Sequence, residues 1–355
     1  MRRGLLFLLA AATIARAQDP TREERVRRAV VRIEAIDVAV LRAREMLAGN
    51  AAPEDLERVR IRQPYTVVTA GVVLSPDGEV VTTALHPMAE LQVTVIFHDE
   101  TRAAATLVGT DPRSHLALLR VPGATPFHLE LSRLEPKAGT PVSIVGDGIL
   151  RGLVARGAIA REQVGLSIPD LYGTTEGKPI ALGSVFVVSA TAGRGSSGSP
   201  CIDADGRLLG LVFGGTPVRP LLRRDPQGAI VMETREVSFV LPASRIARVV
   251  AAFRAEGKVR RARFGICLSP AGEELRAHFD LPPSAAVVDC LEPKGPAEQA
   301  GFRMHDVILD LDGKTFLDAH QLFEAMTDCP PGGRAAFRVL RAGKPVRLEA
   351  VPTQE

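Results

Sequence analysis

The residues best suited to covalent chemistry lie in the run Gly193-Arg194-Gly195-Ser196-Ser197-Gly198-Ser199-Pro200. Small side chains there let the backbone N–H groups of Gly195, Ser196 and Ser197 converge on one point. An oxyanion hole requires such a convergence, and a serine of the run would be the attacking group. The same composition describes a Gly/Ser-rich surface turn, and the run alone does not separate the two readings. The four cysteines, Cys201, Cys267, Cys290 and Cys329, match no zinc pattern. One disulfide, or a set of small buried thiols, accounts for them equally well. His98, His128, His278, His305 and His320 show no metal-ligand spacing and read as surface or packing residues. No metal or other cofactor is expected.

Such a loop has to be held by a rigid frame, and the chain supplies one. Short β-branched runs broken by turns follow one another at Val67–Leu74, Val80–Thr83, Leu91–Phe97, Ala103–Val108 and Leu116–Val121, with Pro76-Asp77-Gly78 as the clearest turn. A second series runs through Pro141–Val145, Val154–Ala160, Ser184–Ala190, Leu208–Phe213 and Val237–Leu241. This is the rhythm of an all-β barrel or sandwich, and two six-stranded barrels would accommodate it. Over residues 22–48 the apolar spacing of Val26, Val30, Ile33, Val40 and Leu47 predicts one amphipathic helix. Ser244–Glu256 reads as a short amphipathic helix, and the polar stretch Gly257–Arg263 as a connection between domains. Beyond it come a strand at Gly265–Leu268, a helix at Glu273–His278, strands at Ala286–Leu291 and Val307–Leu311, a helix at Ala319–Met326 and a strand at Arg334–Leu340. That pattern fits one small α+β domain.

The chain has 355 residues, 46% of them hydrophobic and 24% charged, enough for about two domains with full cores. The net charge is +3, with 44 basic side chains spread along the chain rather than gathered into a patch with aromatics. Nucleic acid is not an expected partner. Arg2 and Arg3, the apolar run Leu5–Ile14 and Ala15-Arg16-Ala17 predict a cleavable signal peptide over residues 1–17. The run falls short of the ~20 apolar residues that span a bilayer, so no stable membrane insertion is expected and the product would be periplasmic or secreted.

Gly193–Pro200, followed by Asp205-Gly206 and Leu208–Phe213, resembles the nucleophile loop of trypsin-like proteases of the HtrA/Deg family, with Ser197 at the nucleophile position. The hairpin Thr69–Gly78 with Val80-Val81-Thr82 is similar to the family hairpin that leads to its histidine. Val108–Arg113 with Leu116–Val121 is similar to the segment that carries its aspartate, and Ser238–Pro242 to its last barrel strand. This order of motifs implies a mainly β protein, a chymotrypsin/trypsin-like double six-stranded β-barrel over residues 18–256. It also turns Val30–Ala35 into the first strand, against the helical periodicity. Residues 257–355 resemble the PDZ domain that follows the protease in the family. Arg263-Phe264-Gly265-Ile266 stands at the carboxylate-binding loop, and Gly295–Phe302 with Asp306–Leu309 forms the most recognisable PDZ stretch, His305 replacing the usual Gly. A PDZ domain adds a peptide as a strand to its sheet edge and captures the terminal carboxylate on backbone N–H groups, here those of Phe264, Gly265 and Ile266.

The triad departs from the family. Counted from Gly78 or from Asp111, the histidine position falls on Leu85, with His86 one residue later, and the aspartate position falls on His115. On a helical turn a one-residue shift rotates a side chain by about 100°. The expected site is therefore Ser197 with a displaced His86 and with His115, an oxyanion hole at Gly195 and Ser196, and weakened or absent catalysis. A neutral imidazole fixes a tautomer but stabilises an imidazolium less well than a carboxylate does. The resemblance implies a protein that binds unfolded or C-terminal peptide segments in envelope quality control or as a scaffold. The alternative is an active serine endopeptidase using Ser197, His86 and His115. The resemblance also implies homo- or hetero-oligomers, trimers by family habit, and a primary pocket lined by Leu211–Gly215.

Overall fold

A computed structural model describes residues 21–38, 66–83, 85, 91–123, 125–146, 152–168, 180–190, 195–224 and 230–354. The chain enters through the helix Arg22–Ala29, whose N-cap Thr21 side chain accepts a hydrogen bond from Glu24 N. It passes directly into β1 (Val30–Asp37). The periodicity at Val26 therefore belongs to a helix and that at Val30 and Ile33 to a strand, as the family resemblance implied. Val40 and Leu47 lie outside the described residues. The switch follows from burial: Val30, Val31, Ile33 and Ala35 are all inside, and β-branched residues favour a pleated, packed surface.

Two closed barrels follow, as the strand rhythm predicts. The first comprises β1, β2 (Thr66–Val73), β3 (Glu79–Thr83), β4 (Leu91–Ile96), β5 (Arg102–Asp111) and β6 (Leu116–Arg120), in the order β1-β2-β3-β6-β5-β4. The second comprises β7 (Pro141–Gly146), β8 (Leu153–Ile168), β9 (Ile180–Val188), β10 (Pro200–Ile202), β11 (Leu208–Arg224) and β12 (Ile230–Pro242), in the order β10-β11-β12-β9-β8-β7. Several strands run well past the expected ends. The segment 216–236 continues β11 and β12 as a long antiparallel ribbon paired as far as Arg224 and Ile230. Val72, Val81, Leu116 and Leu118 from the first barrel share one core with Val145, Val185, Leu208, Leu211 and Leu241 from the second. The helix Ala243–Glu256 adds Ile246, Val249, Val250 and Phe253 to that core. It ends on Gly257, whose φ of 70° makes the left-handed cap that a Cβ disfavours.

The C-terminal domain is a five-stranded sheet in the order β14 (Ile266–Pro270), β15 (Ala286–Leu291), β16 (Val307–Leu311), β17 (Ala335–Arg341) and β18 (Lys344–Ala350). A two-residue β13 (Ala262–Arg263) pairs with β19 (Thr353–Gln354). Strands β18, β13 and β19 escaped the sequence reading, and the expected first strand begins one residue late because Gly265 turns with φ 69°. Phe337 packs edge-on against Phe264 and Phe302, ring centres 5.4 and 5.2 Å apart. Cys267 and Cys290 face each other across β14 and β15 and form a disulfide; Cys201 is a buried free thiol and Cys329 a half-buried one. Among the described residues no helix is long and apolar enough to cross a membrane.

The helix Ala319–Thr327 joins this domain to the second barrel. Glu324 accepts from Arg245 at 2.6 Å, from Arg248 at 3.2 Å and from Ser184 N at 3.0 Å. Arg261, in the connection, bridges Asp328 at 2.7 Å to Asp111 of the first barrel at 2.5 Å.

Candidate active site

Ser197 sits where the two barrels meet, and its main chain is clamped from across the interface. Its carbonyl accepts from Ala70 N at 2.9 Å and from Thr69 Oγ1 at 2.7 Å, both on β2. Gly198 N donates to Val212 O at 2.7 Å, and Val212 N donates to Ser199 O at 2.8 Å, fastening the other side of the loop to β11. Gly195 and Gly198 take φ of 83° and 81°, the left-handed turns that give this loop its shape. Ser196 and Ser199 are buried. Thr69 and Ala70 were expected only as the start of the hairpin motif and Val212 only as part of the primary pocket, not as the groups that hold the serine loop.

The Ser197 hydroxyl donates to the backbone carbonyl of Phe213 at 3.1 Å. A peptide carbonyl accepts a hydrogen bond but does not take up a proton at neutral pH, so this contact orients Oγ without activating it. Leu85 is 2% exposed and belongs to the core of the first barrel with Val31, Ile33, Val80 and Leu119. Its carbonyl accepts from Thr110 Oγ1 at 2.8 Å, which ties the turn after β3 to β5. An apolar side chain in that position has every reason to point inward. His86 lies outside the described residues.

His115 is buried, with φ 55°, at the turn between β5 and β6. Its ring stands edge-on to the ring of Phe213, centres 5.0 Å apart. Phe213 thus meets two of the three expected site groups, Ser197 on its carbonyl and His115 on its ring. Burial pushes the His115 imidazole down to about 4, against the upward pull of the Asp111 carboxylate. At neutral pH it carries no charge. Asp111 itself is engaged by Ser114 N at 3.2 Å and by Arg261.

The depressed pKa has a consequence for stability. Above pH 6.5 the site is neutral in the folded and unfolded chain alike, and its full contribution is present. As the pH falls from 6.5 towards 4, the unfolded chain takes up a proton that the folded one refuses, and about 3 kcal/mol is lost. Asn tolerates left-handed backbone, so His115→Asn is expected to retain the fold and to lose about 3 kcal/mol less than the parent over that window. Urea unfolding at stepped pH measures the difference; parallel curves for the two proteins would refute it.

In the C-terminal domain Phe264 is 5% exposed and packs in the core. Gly265 turns beside it and Ile266 opens the edge strand β14. That edge carries unpaired backbone groups of the kind an added strand uses.

A closed double barrel with a glycine-shaped serine loop at the junction, followed by an edge-open sheet with a tight loop at the start of its edge strand, defines a trypsin-like peptidase fold joined to a PDZ domain. Residues 59–211 match the trypsin-like peptidase domain and residues 263–351 the PDZ domain. Proteins described as probable periplasmic serine endoprotease DegP-like are 27% identical over 301 residues in Bartonella henselae and over 314 residues in Chlamydia muridarum. These alignments cover 81% and 85% of this chain and 54% and 57% of the relatives, so the chain spans just over half their length. The solved HtrA-type protease AlgW superposes with TM-scores of 0.64 with a decapeptide and 0.65 with a tripeptide. Identities are 20% and 21%, and coverage is 94% and 95% of this chain and 98% of AlgW. The chain joins a trypsin-like peptidase domain to a PDZ domain and is similar to proteins of the HtrA/Deg family.

Proposed function

We propose that this chain is an exported peptide-binding HtrA-type protein whose serine site is catalytically impaired. The observation that carries the reading is the hydrogen bond from Ser197 Oγ to the Phe213 carbonyl at 3.1 Å. Leu85, at the histidine position, is buried among aliphatic side chains. His115, at the aspartate position, is neutral and offers no negative charge to stabilise an imidazolium. The loop has a structural role as well: Ser197 O docks it on β2 of the first barrel, and Gly198 N fastens it to β11 of the second. Its retention is therefore no argument for catalysis. The PDZ domain supplies the peptide-binding surface, with Phe264, Gly265 and Ile266 as its carboxylate loop. Export and a quality-control or scaffolding role in the envelope fit the N-terminal residues 1–17 and relatives described as periplasmic. Oligomer formation belongs to the same proposal.

The second reading, an active endopeptidase using Ser197 with a displaced His86 and with His115, draws on the left-handed Gly195 that shapes the expected oxyanion hole of Gly195 and Ser196. An unfolded reporter protein incubated with the chain separates the two. On the proposed function the reporter is bound and recovered uncut, equally by the parent and by Ser197→Ala. Cleavage by the parent alone selects the second reading.

A further inference from the structure

The loop Phe264-Gly265-Ile266 has an acidic neighbour that the sequence comparison did not single out. Glu292 leaves the end of β15, and its N–H donates to Gly265 O at 2.8 Å, which fixes it beside the loop. Gly295 N donates to Glu292 O at 2.9 Å, and Pro293 stiffens the turn between them. One carboxylate oxygen accepts from Arg263 at 3.0 Å. The other lies over Gly265: a Cβ built there would stand 2.8 Å from Glu292 Oε2 and 3.1 Å from Glu292 Cβ. Arg263 is held in place by the pairing of β13 with β19 and by Thr353 Oγ1, which donates to its carbonyl. Arg263, a cation beside the loop, thus has its counter-ion already supplied within the domain. Glu298, the other acid nearby, accepts from Lys294 N at 2.6 Å.

We infer that Glu292 is a built-in competitor for a peptide's terminal carboxylate and sets the specificity of the groove. This rests on the peptide-binding reading of the PDZ domain above. An incoming C-terminal carboxylate meets a like charge over Gly265 and finds Arg263 neutralised, and like-charge juxtaposition penalises the wrong ligand. The backbone edge of β14 still accepts an extended strand. The groove therefore takes internal extended segments, which bring no charge to the loop, at least as well as free C-termini. That preference suits a binder of unfolded chains, whose exposed segments are mostly internal.

The test uses the full mature protein on an array of apolar-ended decapeptides, each displayed once with a free C-terminal carboxyl and once as the amide. The parent is expected to bind acids and amides within about twofold of each other, and Glu292→Gln to raise the acids about tenfold while leaving the amides unchanged. Adding Arg263→Gln to that variant is expected to abolish the gain, because the freed guanidinium supplies it. An acid-to-amide ratio unchanged by Glu292→Gln, or a parent that already prefers acids tenfold, overturns the inference while leaving peptide binding intact. Failure of every peptide to bind parent and variant alike, with native circular dichroism, removes the peptide-binding reading itself.

Discussion

Gly198→Ala is expected to destabilise the protein by more than about 4 kcal/mol, enough to abolish soluble expression of a domain of ordinary stability. The Cβ would stand 1.9 Å from Ala70 O, 2.8 Å from Ala70 C and 2.9 Å from Thr82 Oγ1. Two of these are main-chain atoms of β2, and Ala70 O is itself fixed by a hydrogen bond from Thr82 Oγ1 at 2.6 Å. The neighbour cannot give way without opening the junction of the barrels. The φ of 81° adds about 1–2 kcal/mol for any L side chain. Gly139→Ala isolates that smaller term, because Gly139 has φ 84° and nothing within 4 Å of its Cβ. Urea midpoints of the two variants give the comparison. A Gly198 variant within 1 kcal/mol of the Gly139 variant would mean that the barrels do not seat on this loop.

Arg245→Ala is expected to cost about 3–5 kcal/mol and to release the helix Ala319–Thr327 from the second barrel. Arg245 is 5% exposed; it donates to Ser184 O at 2.9 Å and to Glu324 at 2.6 Å, while Ser184 N donates to Glu324. This triangle links the helix Ala243–Glu256, β9 and the PDZ helix. Burial pulls the Arg245 pKa below the ordinary arginine value, and Glu324 opposes the fall. Removing the guanidinium leaves Glu324 with Ser184 N and the half-exposed Arg248 alone. Amide exchange over residues 319–327 should then rise while exchange in β16 and β17 stays slow. Unchanged protection of that helix would show that the domains do not depend on the ion pair.

The barrels were legible because much of their sequence falls into short β-branched runs punctuated by turns such as Pro76-Asp77-Gly78, where Gly78 has φ 83°. The ribbon of β11 and β12 was not, since Pro217 and Pro220 break the usual strand signature. Pro217 is nonetheless paired with Glu236. Strand β18 begins Lys344-Pro345, for the same reason a weak strand by sequence. In the candidate site the residue types at positions 85, 115 and 197 could be read directly, and the proposed impairment rests on them. What Ser197 touches could not. Its carbonyl is held from Thr69, 128 residues away, and its hydroxyl rests on a backbone carbonyl, which has no residue-type signature. The placement of Glu292 over Gly265 likewise depends on a turn geometry that no motif encodes.

Impaired catalysis is tested most directly by the intact mass of the purified mature protein after a fluorophosphonate probe, alone and with excess unfolded substrate, with Ser197→Ala as control. On the proposed impairment, Ser197 is expected to remain unlabelled in both conditions. A single probe adduct on the parent that disappears in Ser197→Ala would contradict the account and make the chain a serine hydrolase with an unusual base.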